Sequence, residues 1–408
     1  MKRFRTLFLF VLLFSPASPA GAETDGSRVK IRFGGRIDAQ LFTDTYNSKT
    51  TNGGILYYFP LAPAYTSQGT DINRVSTLRF GVASSRINLT VTAPDLLGAE
   101  ARGYVETDFM GSGDMLGVLR LRHAYVGLNW RRSQLLVGQT NNLSVPEEIT
   151  PNTVAFGAGV PFNPLSRIPQ IRYTRQVGES VRLSAAVGMY AGKEGEAQAC
   201  GLVPDFAVRL TAGGPDALVG FSGAVKSIRP RNLTADSVRT TRRMTAFSAS
   251  AFALYRFGGG HRLSVFAMWG QDLSTLNLLG GYGPRLSETE RGEADYGYTA
   301  TQTVATWIEF ETRTMKGWQP GLLVGWTKNL GSGQAIDLAQ ASIPDRGIDR
   351  CIRVAPRLWY HYRQLSFGLE YLYSSASWGR VFDRRYRPTE RYADTQDHRL
   401  TLLARFKF

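Results

Sequence analysis

Arginine recurs along several short stretches, at Arg32 and Arg36, Arg79 and Arg86, Arg120 and Arg122, Arg172 and Arg175, and again at Arg357 and Arg405. A guanidinium stays charged at any pH of interest, and its planar fork can hold a carboxylate by two hydrogen bonds. Gathered around one narrow aqueous space, such groups would concentrate small anions and speed their entry. Four carboxylates lie among them: Glu106, Asp108, Glu147 and Glu148. These would either set up a transverse field or neutralise individual arginines. For any single arginine, pairing is at least as well supported as solute contact, and only the excess of the whole set favours anions. That excess is large: Lys and Arg total 48 against 33 Asp and Glu, a formal net charge of +15.

Patterns for covalent chemistry are missing from the chain. The four histidines, His123, His261, His361 and His398, stand in no H-E-x-x-H motif, and neither G-x-S-x-G nor a phosphate-binding loop occurs. Cys200 and Cys351 are the two cysteines, so a disulfide framework and a four-cysteine zinc site are excluded. The pair is open to two readings, one loop-to-loop disulfide or two inert thiols. No catalytic residue, resident metal or cofactor is expected. The arginines are spread along the chain rather than clustered, which argues against a nucleic-acid partner.

The 408 residues are 43% apolar, 20% charged and 12% aromatic, with 43 Gly and 18 Pro. Such a composition excludes a disordered chain and a coiled coil. The longest apolar run, Leu7 to Phe14, falls far short of the roughly 20 residues that span a bilayer as a helix. Lys2, Arg3 and Arg5 precede it, and Ala20-Gly21-Ala22 follows. Together they read as a secretory signal peptide over 1–22, cut near Ala22. The exported remainder, 23–408, reads as one domain.

Period two dominates that domain. Ile31, Phe33, Ile37 and Leu41 share one face, and Arg32, Arg36, Asp38 and Gln40 the other. About sixteen strands follow, near 29–42, 76–93, 98–110, 117–129, 133–140, 168–176, 180–191, 203–212, 216–228, 240–257, 261–271, 299–311, 318–328, 351–363, 364–375 and 396–408. Short connections alternate with long ones, the latter including 43–75, 141–167, 272–298, 329–350 and 376–395. Parity changes within two strands, near 84–86 and 121–124, which reads as two bulges. The inward direction stays open at both.

Every strand has an apolar face, and no helical pattern exists to cover it. The apolar face therefore points to lipid and the arginine-bearing face to a lumen. Trp130, Phe257, Trp318 and Phe406 are expected at one rim, and Phe42, Trp269, Trp326 and Tyr373 at the other. The expected fold is all-β: a transmembrane, up-and-down antiparallel barrel of about sixteen strands. The last strand, with Leu400, Leu402, Ala404, Phe406 and terminal Phe408 on one face, resembles the closing strand of bacterial outer-membrane barrels.

Residues 117–143, GVLRLRHAYVGLNWRRSQLLVGQTNNL, resemble the RHAYVGL…LLVGQT block of Gram-negative trimeric porins, most of all the DcaP type. STLRFGVASSRINLTVTAP at 76–94, ARGYVETDF at 101–109 and FGLEY at 367–371 resemble other parts of the same group. The resemblance implies a sixteen-stranded homotrimer, a third outer loop folded into the lumen, and uptake of small anionic organic acids. Such relatives often carry a periplasmic coiled coil before the barrel, for which residues 23–28 leave no room.

Loop 141–167 is then the expected constriction. Pro146, Pro151, Pro161 and Pro164 stiffen it, and Gly157 and Gly159 permit close approach to a wall. Arg32, Arg36, Arg79, Arg86, Arg120 and Arg122 are expected to face it, with Arg172, Arg175, Arg357 and Arg405 extending the basic wall. Arg380, Arg384, Arg385, Arg387 and Arg391 in loop 376–395 are open to two readings, contact with lipopolysaccharide or an ordinary solvated loop. The expected activity is passive diffusion of small hydrophilic solutes, anions such as carboxylates above all, across the outer membrane. Two alternatives stay open: a non-selective pore, and an occluded barrel serving as adhesin or structural protein.

Overall fold

Alternating side chains let each strand pair with both neighbours, and the ladder returns on itself. The computed structural model describes residues 29–111, 115–190 and 196–408; the signal peptide expected over 1–22 lies outside them. Sixteen wall strands run up and down: β1 (Lys30–Asp44), β2 (Thr77–Gly81 continued by Arg86–Leu96), β3 (Ala99–Asp108), β4 (Arg120–Trp130), β5 (Ser133–Asn141), β6 (Arg167–Val177), β7 (Val181–Gly188), β8 (Asp205–Gly213), β9 (Ala217–Ile228), β10 (Met244–Phe257), β11 (His261–Gln271), β12 (Tyr298–Glu311), β13 (Trp318–Ser332), β14 (Ile348–Tyr362), β15 (Leu365–Phe382) and β16 (Pro388–Lys407). β1 closes on β16, with Arg36 opposite Lys407 and Thr43 opposite Leu400. Closure leaves no edge strand, so the backbone polar groups of the wall are satisfied within the sheet.

Both parity changes are interruptions of the ladder. In β2, β1 pairs Phe42 with Arg79 and Arg36 with Arg86, and 82–85 carry the slack between. Leu78 and Phe80 therefore point outward before the break, and Leu89 after it. In β4 the register slips where Glu106 faces His123 but Thr107 faces Leu121. Arg122 is the extra residue, and Leu121 and Val126 are both outward and exposed.

The outer face is apolar. Ile31, Phe33, Leu78 and Phe80 are 70%, 65%, 71% and 69% exposed, a pattern that only a lipid surround makes favourable. Phe257, Trp269, Trp318 and Phe406 are exposed on this face, whereas Phe42 turns inward and is buried. Connections at one end are tight and at the other long, with one departure. Loop 376–395 is instead a hairpin, β15 and β16 extending to Phe382 and from Pro388 across 18 and 20 residues. Residues 379–391 mix polar groups on both faces, so period two disappears there although the pairing continues.

The interior is uneven. Phe252, Phe266, Met268, Trp307 and Leu323 of β10 to β13 point inward and are buried. They form one apolar cluster with Tyr57, Phe59, Ile149, Val160, Phe162, Leu276 and Leu279. Those partners come from the first, third and sixth outer connections. A hairpin of Ser48–Thr51 with Leu56–Pro60 carries the first group. The sixth connection is pinned by Asp272. Burial opposes charge there, but Lys226 at 2.8 Å and the Ser274 hydroxyl hold the carboxyl below its ordinary range. The polar inner face expected all round is thus broken on β10 to β13, where Phe252, Phe266, Trp307 and Leu323 point inward beside polar residues such as Glu309 and Glu311.

Candidate functional site

Space remains where β16, β1, β2, β3 and β4 face the third outer connection. A cavity of about 330 Å³ lies there. Arg36, Arg86, Arg122, Arg167 and Arg405 line it, opposed by Asp38 and Glu106. Five guanidiniums against two carboxylates leave a surplus of three positive charges. A second cavity of about 410 Å³ shares Arg36, Arg86 and Glu106, and adds Arg32 and Lys407 toward the short-turn end.

The seven groups differ in how far they are committed. Arg405 holds Asp38 through two bonds of 2.7 and 3.1 Å. Arg122 bridges Glu106 at 2.6 Å and Asp108 at 2.8 Å. Arg36 reaches Asp38 through its Nε at 3.1 Å, whereas Arg86 reaches Glu106 only at 3.5 Å through an Nη, and its buried Nε has no hydrogen-bond partner. The Arg167 side chain makes no hydrogen bond or ion pair among the described residues. The guanidiniums of Arg86 and Arg167 are thus the least committed of the five, which leaves N–H capacity for an anion in the cavity.

Residues 152–163 of the third outer connection bond to inward-facing groups of the wall. Asn152 donates its backbone N–H to Glu309 at 2.9 Å and its amide to Glu311 at 2.7 Å. The N–H groups of Val154 and Ala155 reach Glu370 at 2.8 and 3.3 Å. Arg353 donates to the carbonyls of Val160 and Tyr58, both at 2.6 Å, and so ties the third and first connections to β14. Arg209 reaches the Val145 carbonyl at 2.7 Å.

The residues singled out in the sequence separate by environment. Arg36, Arg86, Arg122, Arg405 and Glu106 line the 330 Å³ cavity, and Arg32 the 410 Å³ one. Arg120 and Asp108 form a bidentate pair at 3.0 and 2.7 Å beside it. Arg79 sits higher on β2 and pairs with Asp44 at 3.2 Å. Arg172 points inward but is spent on the Asn141 carbonyl and on Gln170 at 3.0 Å. Glu147 accepts from Asn141, and Glu148 pairs with Arg209 at 3.2 Å. Arg357 is fully buried between Glu309 at 2.8 Å and Glu311 at 3.2 Å, away from the cavity.

Arg175 overturns its assignment. It shares a face with Ile171, Tyr173 and Val177, all exposed and outward, whereas Arg172 has the opposite parity. A spacing of three in a strand puts two residues on opposite faces. Cys200 and Cys351 are both free, the latter fully buried. Asp38, Arg167 and His123 line the cavity but were not singled out. Alternation with Arg36 already placed Asp38 on the inner face. Arg167 was hidden at the end of a long connection, and His123 at the β4 bulge.

Two substitutions separate these environments. Arg79→Ala is expected to leave ion selectivity unchanged, because Asp44 keeps Arg399 at 2.6 Å; a measurable loss of selectivity would bring Arg79 back to the cavity. Arg357→Ala leaves Glu309 with the Asn152 N–H and with Arg262 only at 3.5 Å, and is expected to cost about 3–5 kcal/mol, the usual effect of removing one partner of a buried pair. Denaturant unfolding of the detergent-solubilised barrel measures it, and an unchanged midpoint would contradict the buried network.

The structure is similar to the outer membrane channel DcaP of Acinetobacter baumannii, with a TM-score of 0.67 at 15% identity over 93% of this chain and 97% of that one. It is also similar to OmpT of Vibrio cholerae in trimer form (0.55, 12%, 93% and 99%) and to OmpF of Salmonella typhi in complex with daunomycin (0.55, 11%, 93% and 97%). At these identities the likeness shows the fold. No curated protein matches the chain in sequence. The family model of the DcaP outer membrane protein matches residues 22–258, more than half of the chain and including β1 to β5 and the wall residues from Arg32 to Arg175. The chain therefore belongs to the DcaP outer membrane protein family.

Proposed function

We propose that the protein is a passive pore of the outer membrane, in which the third outer connection narrows an arginine-lined passage that favours small anions such as carboxylates. The observation that carries this reading is the charge surplus of the 330 Å³ cavity, together with the weakly committed guanidiniums of Arg86 and Arg167. A carboxylate entering the passage exchanges part of its hydration for these forks. It moves on because the same charges continue through Arg32 and Lys407 below, so that no single site holds it. Diffusion down a gradient requires no cofactor. The trimer form of the similar OmpT supports a homotrimer here, and lipid and lipopolysaccharide are the surrounding partners.

The test is swelling of liposomes loaded with the purified protein. A small dicarboxylate is expected to enter faster than a neutral sugar of comparable size, and equal or slower entry would reject anion preference. One observation favours the alternative of an occluded barrel: the apolar cluster that fills the β10 to β13 side. Discrete conductance steps in a planar bilayer are expected from a pore, and their absence would favour occlusion.

A further inference from the structure

The outward turn of Arg175 leaves a charged side chain on a face otherwise given to lipid. Its strand partner across the sheet is Ser133, the first residue of β5, directly after the turn of Arg131 and Arg132. The three arginines, with Trp130, Ser133 and Tyr173, bound an open groove of about 670 Å³ on the outside of the barrel. All three arginines are exposed. None of their side chains makes a hydrogen bond or ion pair among the described residues. Uncompensated positive charge on a lipid-facing surface is tolerated only near headgroup depth, and there it attracts phosphate. Arg175 lies two residues from the end of β6 on the tight-turn side, which fits that depth. Trp130 and Tyr173 are the amphipathic ring types of that layer, and Trp130 is fixed by its indole N–H, which donates to the Leu97 carbonyl at 3.1 Å.

We propose that this groove is a binding site for one glycerophospholipid of the leaflet at the tight-turn end. Arg131, Arg132 and Arg175 hold its phosphate, and Trp130 and Tyr173 flank the start of its acyl chains. The site is independent of the passage: it lies on the other side of the wall and needs no solute flux.

The experiment is native mass spectrometry of the full-length protein released from bilayer discs of phosphatidylethanolamine and phosphatidylglycerol. The wild type is expected to keep a bound phospholipid that the R131Q/R132Q/R175Q variant loses, with R175K retaining most of it. Equal retention by wild type and triple variant would overturn the site. A second measurement uses the wild type alone, so that poor folding of the variant does not decide the matter. Added phosphatidylglycerol is expected to raise its unfolding temperature, while inorganic phosphate at the same concentration does not. An equal rise with inorganic phosphate would mean a free-anion site, and dissociation of the oligomer by the triple variant with lipid retention unchanged would mean a subunit contact. Either result would overturn the proposal.

Discussion

Replacing both Arg86 and Arg167 with glutamate is expected to reverse the ion preference. The 330 Å³ cavity then holds three guanidiniums and four carboxylates instead of five and two, so its surplus changes sign. The effect is large because counter-ions in a narrow, low-dielectric passage respond to summed charge. These two positions are also the ones whose loss disturbs the wall least. The Arg167 side chain has no bonded partner among the described residues, and Arg86 reaches Glu106 only at 3.5 Å while Arg122 holds that carboxylate at 2.6 Å. Arg405 and Arg36 continue to hold Asp38. Reversal potentials under a salt gradient check the outcome. A double variant with the wild-type sign and magnitude would place the conducting route elsewhere.

Releasing the third outer connection is expected to raise conductance several-fold. Glu370 is buried, and both of its oxygens accept N–H groups from that segment. Arg353 binds the Val160 and Tyr58 carbonyls, which ties two connections through one side chain. Hydrogen bonds to charged groups contribute about 1.5–3 kcal/mol each, so Glu370→Ala with Arg353→Ala removes tethers comparable to the packing of Phe162 and Val160. Single-channel recordings would show larger and noisier open levels. Glu370→Gln, which keeps one acceptor oxygen, should fall between. A quiet, unchanged open level in the double variant would contradict the tethering role.

Period two made all sixteen wall strands legible, because lipid outside and polar groups inside impose opposite demands on successive residues. It failed in two places for physical reasons. Above the bilayer both faces meet water, so the upper half of the β15–β16 hairpin looked like the loop 376–395. On β10 to β13 several inward residues are apolar as well and pack in the buried cluster around Phe162 and Phe59, so alternation could not reveal the filled side. The site was legible as a set of inward arginines, yet pairing was not. Whether an arginine faces open space or is spent on a neighbour depends on cross-strand register, as Arg86 opposite Arg36 and Arg120 opposite Asp108 illustrate. Arg175 stands three residues from Arg172, so the two fall on opposite faces of β6 and only Arg172 points inward.

The central claim is that solutes cross between the arginine wall and the third outer connection. Thr153 borders that passage from the connection's side and is half-buried, so a Thr153→Cys variant in a Cys200→Ser background, with Cys351 fully buried, places a thiol in the proposed route. Modification with a bulky thiol reagent, its completeness confirmed by mass, is predicted to remove most of the single-channel current. A fully modified protein that conducts as before would contradict the account.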